Sequence, residues 1–525
     1  MSHELTKIPL VHQATVHGEK TAVVDTDGQH SYQQLLHRAN IVATHLLQGK
    51  DDLCESRVAF IVPSGFNYVA IQWGIWMAGG VAVPLCVTHP KPEMEYVIEN
   101  AESRILVAHP EFEPSLKPLA AEKNLQYFSL SDILIGEPGA LPEVTIDRRA
   151  MILYTSGTTS KPKGVVTTHK IITSQITCLI KAWEWSSDDY IVHVLPLHHV
   201  HGIINVLCCA LWAGAACEMP ERFDPESVWN SFIENKSTVF MAVPTIYARL
   251  IKYWESSSLS QQQEMSRGCR GLRLMVSGSA ALPVAMFKQW KKISGHDFLE
   301  RYGMTEIGMA ISNPYRGERR PGYVGKPLPG VTIRLVDDAG NEVREENVPG
   351  EIQMKSDSVF LEYWKNPEAT RNTFSGDWFC TGDIAVLTKG YYRILGRSSV
   401  DIIKSGGYKV SALEIEEILR THPLIQECAV VGIESDEWGE LVAAAIQMEN
   451  HQQLTLRELR DWGKERLAPY KVPQMIKQVE ALPRNVMGKV TKAQVKKLFQ
   501  LGTLNSVFLV PLLFSSIILL SPYVF

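Results

Sequence analysis

The stretch Tyr154-Thr-Ser-Gly-Thr-Thr-Ser-Lys-Pro-Lys-Gly164 decides the reading of this chain. It lies between two apolar, strand-like runs, Ala150–Leu153 and Val165–Thr168. Small hydroxyl residues and glycines let backbone N–H and side-chain O–H groups converge on phosphate oxygens, and Lys161 and Lys163 supply positive charge. This is not a Walker A loop. There the lysine precedes Ser or Thr and a helix follows, whereas Lys163 precedes Gly164 and a second strand.

Outward from the loop, short β-rich runs alternate with helical stretches. Arg57–Val62, Gly80–Leu85 and Ser237–Val243 read as strands, and Tyr68–Met77, Glu93–Asn100 and Lys170–Trp183 as helices. Such alternation predicts α/β layers with largely parallel strands. After the Ser/Gly-punctuated stretch Gly396–Gly407 the pattern restarts. Ser411–Thr421 reads as a helix, Glu427–Gly432 and Leu441–Met448 as strands, and Leu456–Leu467 as a helix. The expected fold class is α/β: a large N-terminal multi-layer α/β domain with mixed sheets over residues 1–396. A small, mobile C-terminal α+β domain over 397–499 and an apolar tail over 500–525 complete the chain.

Composition narrows the class. The chain has 525 residues, 45% hydrophobic and 21% charged, close to globular averages, which excludes disorder and collagen-like structure. A net charge of −5 carries no basic footprint for nucleic acid. Nine cysteines, scattered apart from Cys208–Cys209 and without a CxxC pair, argue against a disulfide framework or a zinc ribbon. A reducing compartment follows, cytoplasmic by expectation, or mitochondrial if a longer N-terminal isoform exists. The opening Met1-Ser-His-Glu-Leu-Thr-Lys lacks the build of a signal peptide or a mitochondrial presequence. Val507–Leu520 is almost wholly apolar, but Pro511, Ser515, Ser516 and Ser521 interrupt or follow it. A membrane anchor, a non-native or alternatively spliced tail, and a buried terminal element stay open as readings, and a membrane partner is expected only under the first.

Seven further motifs follow the phosphate loop in order. They are Leu195-Pro-Leu-His-His-Val-His-Gly202, Val276-Ser-Gly-Ser-Ala-Ala-Leu-Pro283, Arg301-Tyr-Gly-Met-Thr-Glu306 and Trp378-Phe-Cys-Thr-Gly-Asp383, then Leu395-Gly-Arg397, Lys404-Ser-Gly-Gly-Tyr408 and Pro483-Arg-Asn-Val-Met-Gly-Lys489. Together they resemble the adenylate-forming superfamily of acyl-CoA synthetases, luciferases and peptide-synthetase adenylation domains, over residues 10–497. The resemblance implies an AMP-forming acid–thiol ligase with ATP and CoA as cosubstrates and Mg²⁺ as cofactor.

The chemistry has its own demands. A carboxylate is a poor electrophile until its charge is displaced, and coupling it to the α-phosphate of ATP brings two anions together. Catalysis is then mainly positioning and charge neutralisation, and it needs no covalent enzyme nucleophile. Glu306 is the candidate metal ligand, since one carboxylate with phosphates and waters is an ordinary Mg²⁺ arrangement. Lys489 can bridge the substrate carboxylate and the α-phosphate as a point charge. Asp383, with Arg397 nearby, is suited to ribose hydroxyls.

The resemblance implies the remaining roles. Thr155, Ser156, Gly157, Thr158, Thr159, Lys163, Ser277, Gly278, Ser279, Tyr302, Gly303, Met304 and Thr305 join Asp383 and Arg397 around the nucleotide, with Thr305 on the α-phosphate. His199 gates the acyl pocket and contacts the carboxylate, with His198 and His201 on the same wall. Ser405, Gly406, Gly407 and Tyr408 line a CoA tunnel once the small domain has rotated about Ser398–Ser399. Three departures stand out: serine at that hinge, Ser160 in place of a common glycine, and Glu362 before Tyr363-Trp364. His193, His198, His199 and His201 invite a metal reading, but no acid or cysteine shares their spacing, which argues against one.

A fatty-acid pocket should be long and apolar. The segments Val243–Arg249 and Asn313–Arg320 instead carry arginines that could neutralise a second carboxylate, with Arg249 first and Arg319 second as candidates. With the His-Val-His-Gly and Arg-Tyr-Gly-Met-Thr-Glu motifs they look like the malonyl-CoA synthetase branch. The expected function is synthesis of malonyl-CoA from malonate, CoA and ATP through an acyl-adenylate. The alternatives are a medium- or long-chain fatty acyl-CoA synthetase and a non-catalytic adenylate-binding or membrane-tethered scaffold.

Overall fold

The computed structural model describes residues 8–155, 161–405, 408–435, 438–449, 452–484 and 489–504. The chain divides into two compact units, Met1–Ser398 and Ser399–Phe525.

Three sheets build the first unit. In a seven-stranded sheet, Arg149–Thr155, Val81–Pro84, Arg57–Ile61, Ile105–Ala108 and Gln126–Ser129 run parallel in that spatial order. On its other side Lys163–Thr168 runs antiparallel to Arg149–Thr155, with Glu362–Tyr363 beyond it at the edge, so the phosphate loop connects two antiparallel neighbours, with Thr155 opposite Lys163. A nine-stranded sheet has a parallel centre that includes Tyr190–Val192, Val239–Ala242, Leu274–Ser277 and Leu299–Met304. Helices follow the strands as the alternating pattern predicts. Helix Phe66–Met77 has every residue buried except Asn67, so it reads as one apolar run rather than a stripe. It lies against helix Tyr32–Leu47 at Gly74, where an added Cβ would come 2.4 Å from the Val42 side chain.

The third sheet supplies the antiparallel part of the mixed architecture. Thr332–Val336, Gly350–Lys355, Trp378–Thr388 and Tyr391–Arg397 are all antiparallel neighbours. The reason is local: Lys389 and Gly390, at φ 48° and 75°, form a two-residue connection closed by the Thr388–Tyr391 pair. Two positive φ angles in succession match the twist of a tight hairpin, whereas a parallel pair needs a long crossover. The hairpin sets Asp383 opposite Arg397.

The second unit has a five-stranded sheet containing Ile402–Ser405, Tyr408–Ser411, Ile425–Ser435, Gly439–Met448 and Met475–Val479, with helices Ala412–Leu419, Leu456–Lys464 and Lys492–Leu504. The last pair of strands is parallel and the others antiparallel, as an α+β unit requires. Lys492 is buried there against Glu416 at 2.5 Å and Asp401 at 3.2 Å, and donates to the Val430 carbonyl. No helix among the described residues is long and apolar enough to cross a membrane. The tail from 505 onward lies outside the described residues.

Candidate active site

Strands Leu274–Ser277 and Leu299–Met304 lie side by side in parallel, with Ser277 opposite Glu300. Ser277-Gly-Ser279 and Arg301-Tyr-Gly-Met304 therefore emerge at the same edge, where open parallel sheets gather ligands. Gly278 lies tight against Arg301: an added Cβ would stand 2.7 Å from the guanidinium carbon, and the arginine would have to move.

On one side of this edge the nucleotide candidates come together. Tyr302 Oη donates to Asp383 Oδ2 at 2.6 Å, and Arg397 Nε lies 2.9 Å from Oδ1. Gly382, at φ 72°, donates its N–H to Glu351 and so turns the Thr-Gly-Asp segment to present the acid. Burial, reinforced by the Asp383 carboxylate, holds the Tyr302 phenol well above its ordinary pKa, which keeps it a donor.

Glu306 is buried in the turn after Met304. It accepts a 2.7 Å hydrogen bond from Tyr363 Oη, while Lys163 Nζ stands 4.9 Å from the centre of the Tyr363 ring. The structure thus joins the phosphate-loop lysine to the candidate metal acid through an aromatic residue in which sequence reasoning saw no site role. Its signal was the neighbouring Glu362, whose carboxylate instead ties the strand to Arg149 at 2.9 Å. The oxygen donors of Glu306 and Thr305 are the hard type that Mg²⁺ takes beside phosphates and water, so the residues fit that ion. Ser156, Gly157, Thr158, Thr159 and Ser160 lie outside the described residues.

On the acyl side, His201 Nδ1 is 3.2 Å from Ser279 Oγ, and Arg301 Nη2 donates to the same oxygen at 3.2 Å. Arg301 is 4% exposed, and its Nε has no hydrogen-bond partner among the described residues. Burial pushes its pKa down to about 9. His199 is half-buried, its ring 4.0 Å from that of His198. His193 has a different task. Its Nδ1 accepts from the Leu195 N–H and its Nε2 lies 2.9 Å from the Gly202 carbonyl, so it braces the loop from within.

The two arginines expected to hold a distal carboxylate are placed otherwise. Arg249 is exposed on helix Pro244–Ser256, its guanidinium 4.5 Å from the centre of the Phe223 ring. Arg319 gives its guanidinium to the carbonyls of Pro314, Asp297 and Tyr315, which makes it the brace of its own loop. The buried cation beside His201 is Arg301. Sequence reasoning quoted it as a motif letter and gave it no task, because only its burial shows that no acid pairs with it among the described residues.

In the second unit, Ser405 is buried opposite Tyr408, which is 55% exposed and stacks on Tyr470 at 4.3 Å. Gly406 and Gly407 lie outside the described residues. Lys489 is exposed, next to the bridge between Arg484 and Val490.

The family model of AMP-binding enzymes matches residues 10–364, and that of the AMP-binding enzyme C-terminal domain matches 414–489. The chain belongs to the AMP-binding enzyme family. This AMP-binding enzyme is 43% identical to a mitochondrial malonate–CoA ligase of Xenopus laevis, with 93% of this chain and 91% of that one covered. A malonate–CoA ligase of Arabidopsis thaliana is 41% identical over 86% of this chain and 80% of its own. Among solved structures, ATP-bound MatB from Rhodopseudomonas palustris is similar with a TM-score of 0.86 at 32% identity, covering 94% of this chain and 99% of that one.

Proposed function

We propose that this AMP-binding enzyme is an AMP-forming acid–thiol ligase that makes malonyl-CoA from malonate, ATP and CoA. One malonate carboxylate oxygen attacks the α-phosphorus of ATP, and the bond to the bridging oxygen breaks as pyrophosphate leaves. The CoA sulfur then attacks the acyl carbon of malonyl-AMP, the bond to the AMP oxygen breaks, and the thiol proton passes to solvent.

The observation that carries the choice of acid is the buried Arg301, whose Nε lacks a partner among the described residues and whose Nη2 donates to the Ser279 hydroxyl. Desolvating a guanidinium without an acid is costly, so the position favours an anionic ligand. The distal carboxylate of malonate supplies the missing charge, and a monocarboxylate leaves the cation unanswered. Sites built this way reject analogues lacking the polar group by about 10⁴-fold.

Asp383, held by Tyr302 and Arg397, takes the ribose hydroxyls, and Lys163 with Thr155 takes phosphate. Ser277, Gly278, Gly303 and Met304 shape the nucleotide wall, and Thr305 bonds the α-phosphate. His199 and His201 line the acyl side. Lys489 supplies the charge for adenylation, and Ser405 and Tyr408 serve the CoA step. Glu306 would hold Mg²⁺, which supplies charge neutralisation on the phosphates when bound. The nine unpaired cysteines suit the reducing compartment expected from sequence, the cytoplasm in this reading. The mitochondrial name of the Xenopus relative makes the mitochondrion the alternative to test by fractionation.

A panel of malonate, methylmalonate, butyrate and octanoate, scored by AMP release with the purified full chain, tests the reading. Malonate should lead; octanoate turning over faster than malonate would sink the choice of acid.

A further inference from the structure

Cys86, His89 and His198 meet although the second and third are 109 positions apart in the sequence. One ligand atom from each lies within 4.8 Å of the other two. Cys86 is 6% exposed, two residues past strand Val81–Pro84. His89 stands in the loop before helix Lys91–Asn100, and His198 in the loop before the π-helical turn His201–Cys208. Cys86 and His89 follow a strand of the seven-stranded sheet and His198 follows Tyr190–Val192 of the nine-stranded sheet. No other group of this kind occurs among the described residues.

Three details mark the cluster as built for a ligand. Nε2 of His198 is buried with no hydrogen-bond partner among the described residues, a costly arrangement for an imidazole nitrogen that a ligand would satisfy. Nδ1 of His89 is 3.3 Å from the Glu93 carboxylate, which leaves Nε2 as the donor atom. A carboxylate behind a ligating imidazole is the usual way of fixing its tautomer and orientation at a metal. Cys86 Sγ lies 3.2 Å from Thr88 Oγ1.

We propose that Cys86, His89 and His198 form a binding site for a soft divalent cation, zinc by preference, distinct from the Mg²⁺ position at Glu306. One sulfur and two imidazoles are a soft, borderline donor set with a fourth position left for water, and tetrahedral zinc suits it. Mg²⁺ prefers oxygen ligands and does not compete for it. The His198 ring stands 4.0 Å from that of His199, so an ion on His198 pins the pair. Where His199 lines the acyl pocket, which rests on the reading above, occupancy slows turnover.

Cobalt(II) reports the site without reference to activity. Added to the full chain in excess Mg²⁺, it should give thiolate-to-cobalt charge-transfer absorption and tetrahedral d–d bands at one equivalent, both lost on adding zinc. Cys86→Ser should abolish the charge-transfer band. Glu93→Gln, a change at an exposed carboxylate, should keep it but weaken cobalt binding by about 10- to 100-fold. Absence of the band in the wild type, or its persistence in Cys86→Ser, overturns the site. Zinc should also lower malonate-dependent AMP release in the wild type and not in Cys86→Ser. Equal inhibition of both overturns the link to turnover, whereas a failed malonate assay with intact cobalt bands would count against the ligase reading alone.

Discussion

Two buried cations, one in each unit, have opposite surroundings. Lys492 in the C-terminal unit is enclosed by Glu416, Asp401 and the Val430 carbonyl, so its donors point at acceptors the fold itself provides. Burial works against its charge, but the two carboxylates outweigh burial and raise its pKa. Arg301 in the N-terminal unit meets a hydroxyl, and burial drives its pKa down to about 9. Lys492 is part of the architecture, since its charge is answered before any ligand arrives. Arg301 is held at a cost to stability, and such a cost is maintained where a ligand completes the arrangement.

Arg301→Met should break the comparison most visibly. An apolar side chain of similar length removes the anion partner, and malonate kcat/KM should fall by about 10⁴-fold while butyrate loses little. The same variant should unfold at a higher temperature than the wild type, by about 1–4 kcal/mol of added stability, because a desolvated charge has been replaced by packing. A lower melting temperature would show that Arg301 is structural after all.

Lys489→Ala tests a third cation, this one exposed, whose proposed role is only in the first half-reaction. Adenylation, read by pyrophosphate release, should drop by about 10³-fold, while thioester formation from supplied malonyl-AMP stays near wild type. Equal loss in both half-reactions would contradict the assignment.

Lys492→Met should go the other way from Arg301→Met. Glu416 then keeps the longer 3.4 Å contact to Arg420 while Asp401 loses Lys492, which costs about 3 kcal/mol in urea or thermal unfolding. Because the folded Lys492 pKa lies above its ordinary value of 10.5, its contribution is fully present below that pH and is lost as pH rises through the folded value. The stability gap between wild type and variant should therefore narrow in strongly alkaline melts. A gap that stays constant there would assign the effect to packing.

The smallest effect belongs to Arg249→Leu. The side chain is exposed and stacked on Phe223, so malonate KM should stay within about twofold of wild type. A large rise with unchanged kcat would restore Arg249 to the acid-binding role.

Much of the fold was legible because periodicity is a local property. The helix expected at Lys170–Trp183 is observed as His169–Trp183, and the strand expected at Glu427–Gly432 lies within Ile425–Ser435. Mixed sheets were expected, but which strands pair antiparallel was not assigned, because the decisive signal is a two-residue turn at Lys389-Gly390, easily lost among longer apolar runs. Tyr302, Asp383 and Arg397 stood in quoted motifs and do converge, since neighbouring strands fix their register. The pairing of Tyr363 with Glu306 was not legible, because the two are 57 residues apart.

The amino-acid order on its own determined the alternating layers, the phosphate hairpin and the chemical class, since each follows from short-range pattern and residue type. Tertiary structure alone decided which arginine is buried beside His201 and which is exposed on a helix. It also put a cysteine beside His198, where linear spacing had offered none. Desolvation is the physical reason: a charge or an imidazole acquires its energetic meaning from the atoms packed around it, and those come from distant parts of the chain.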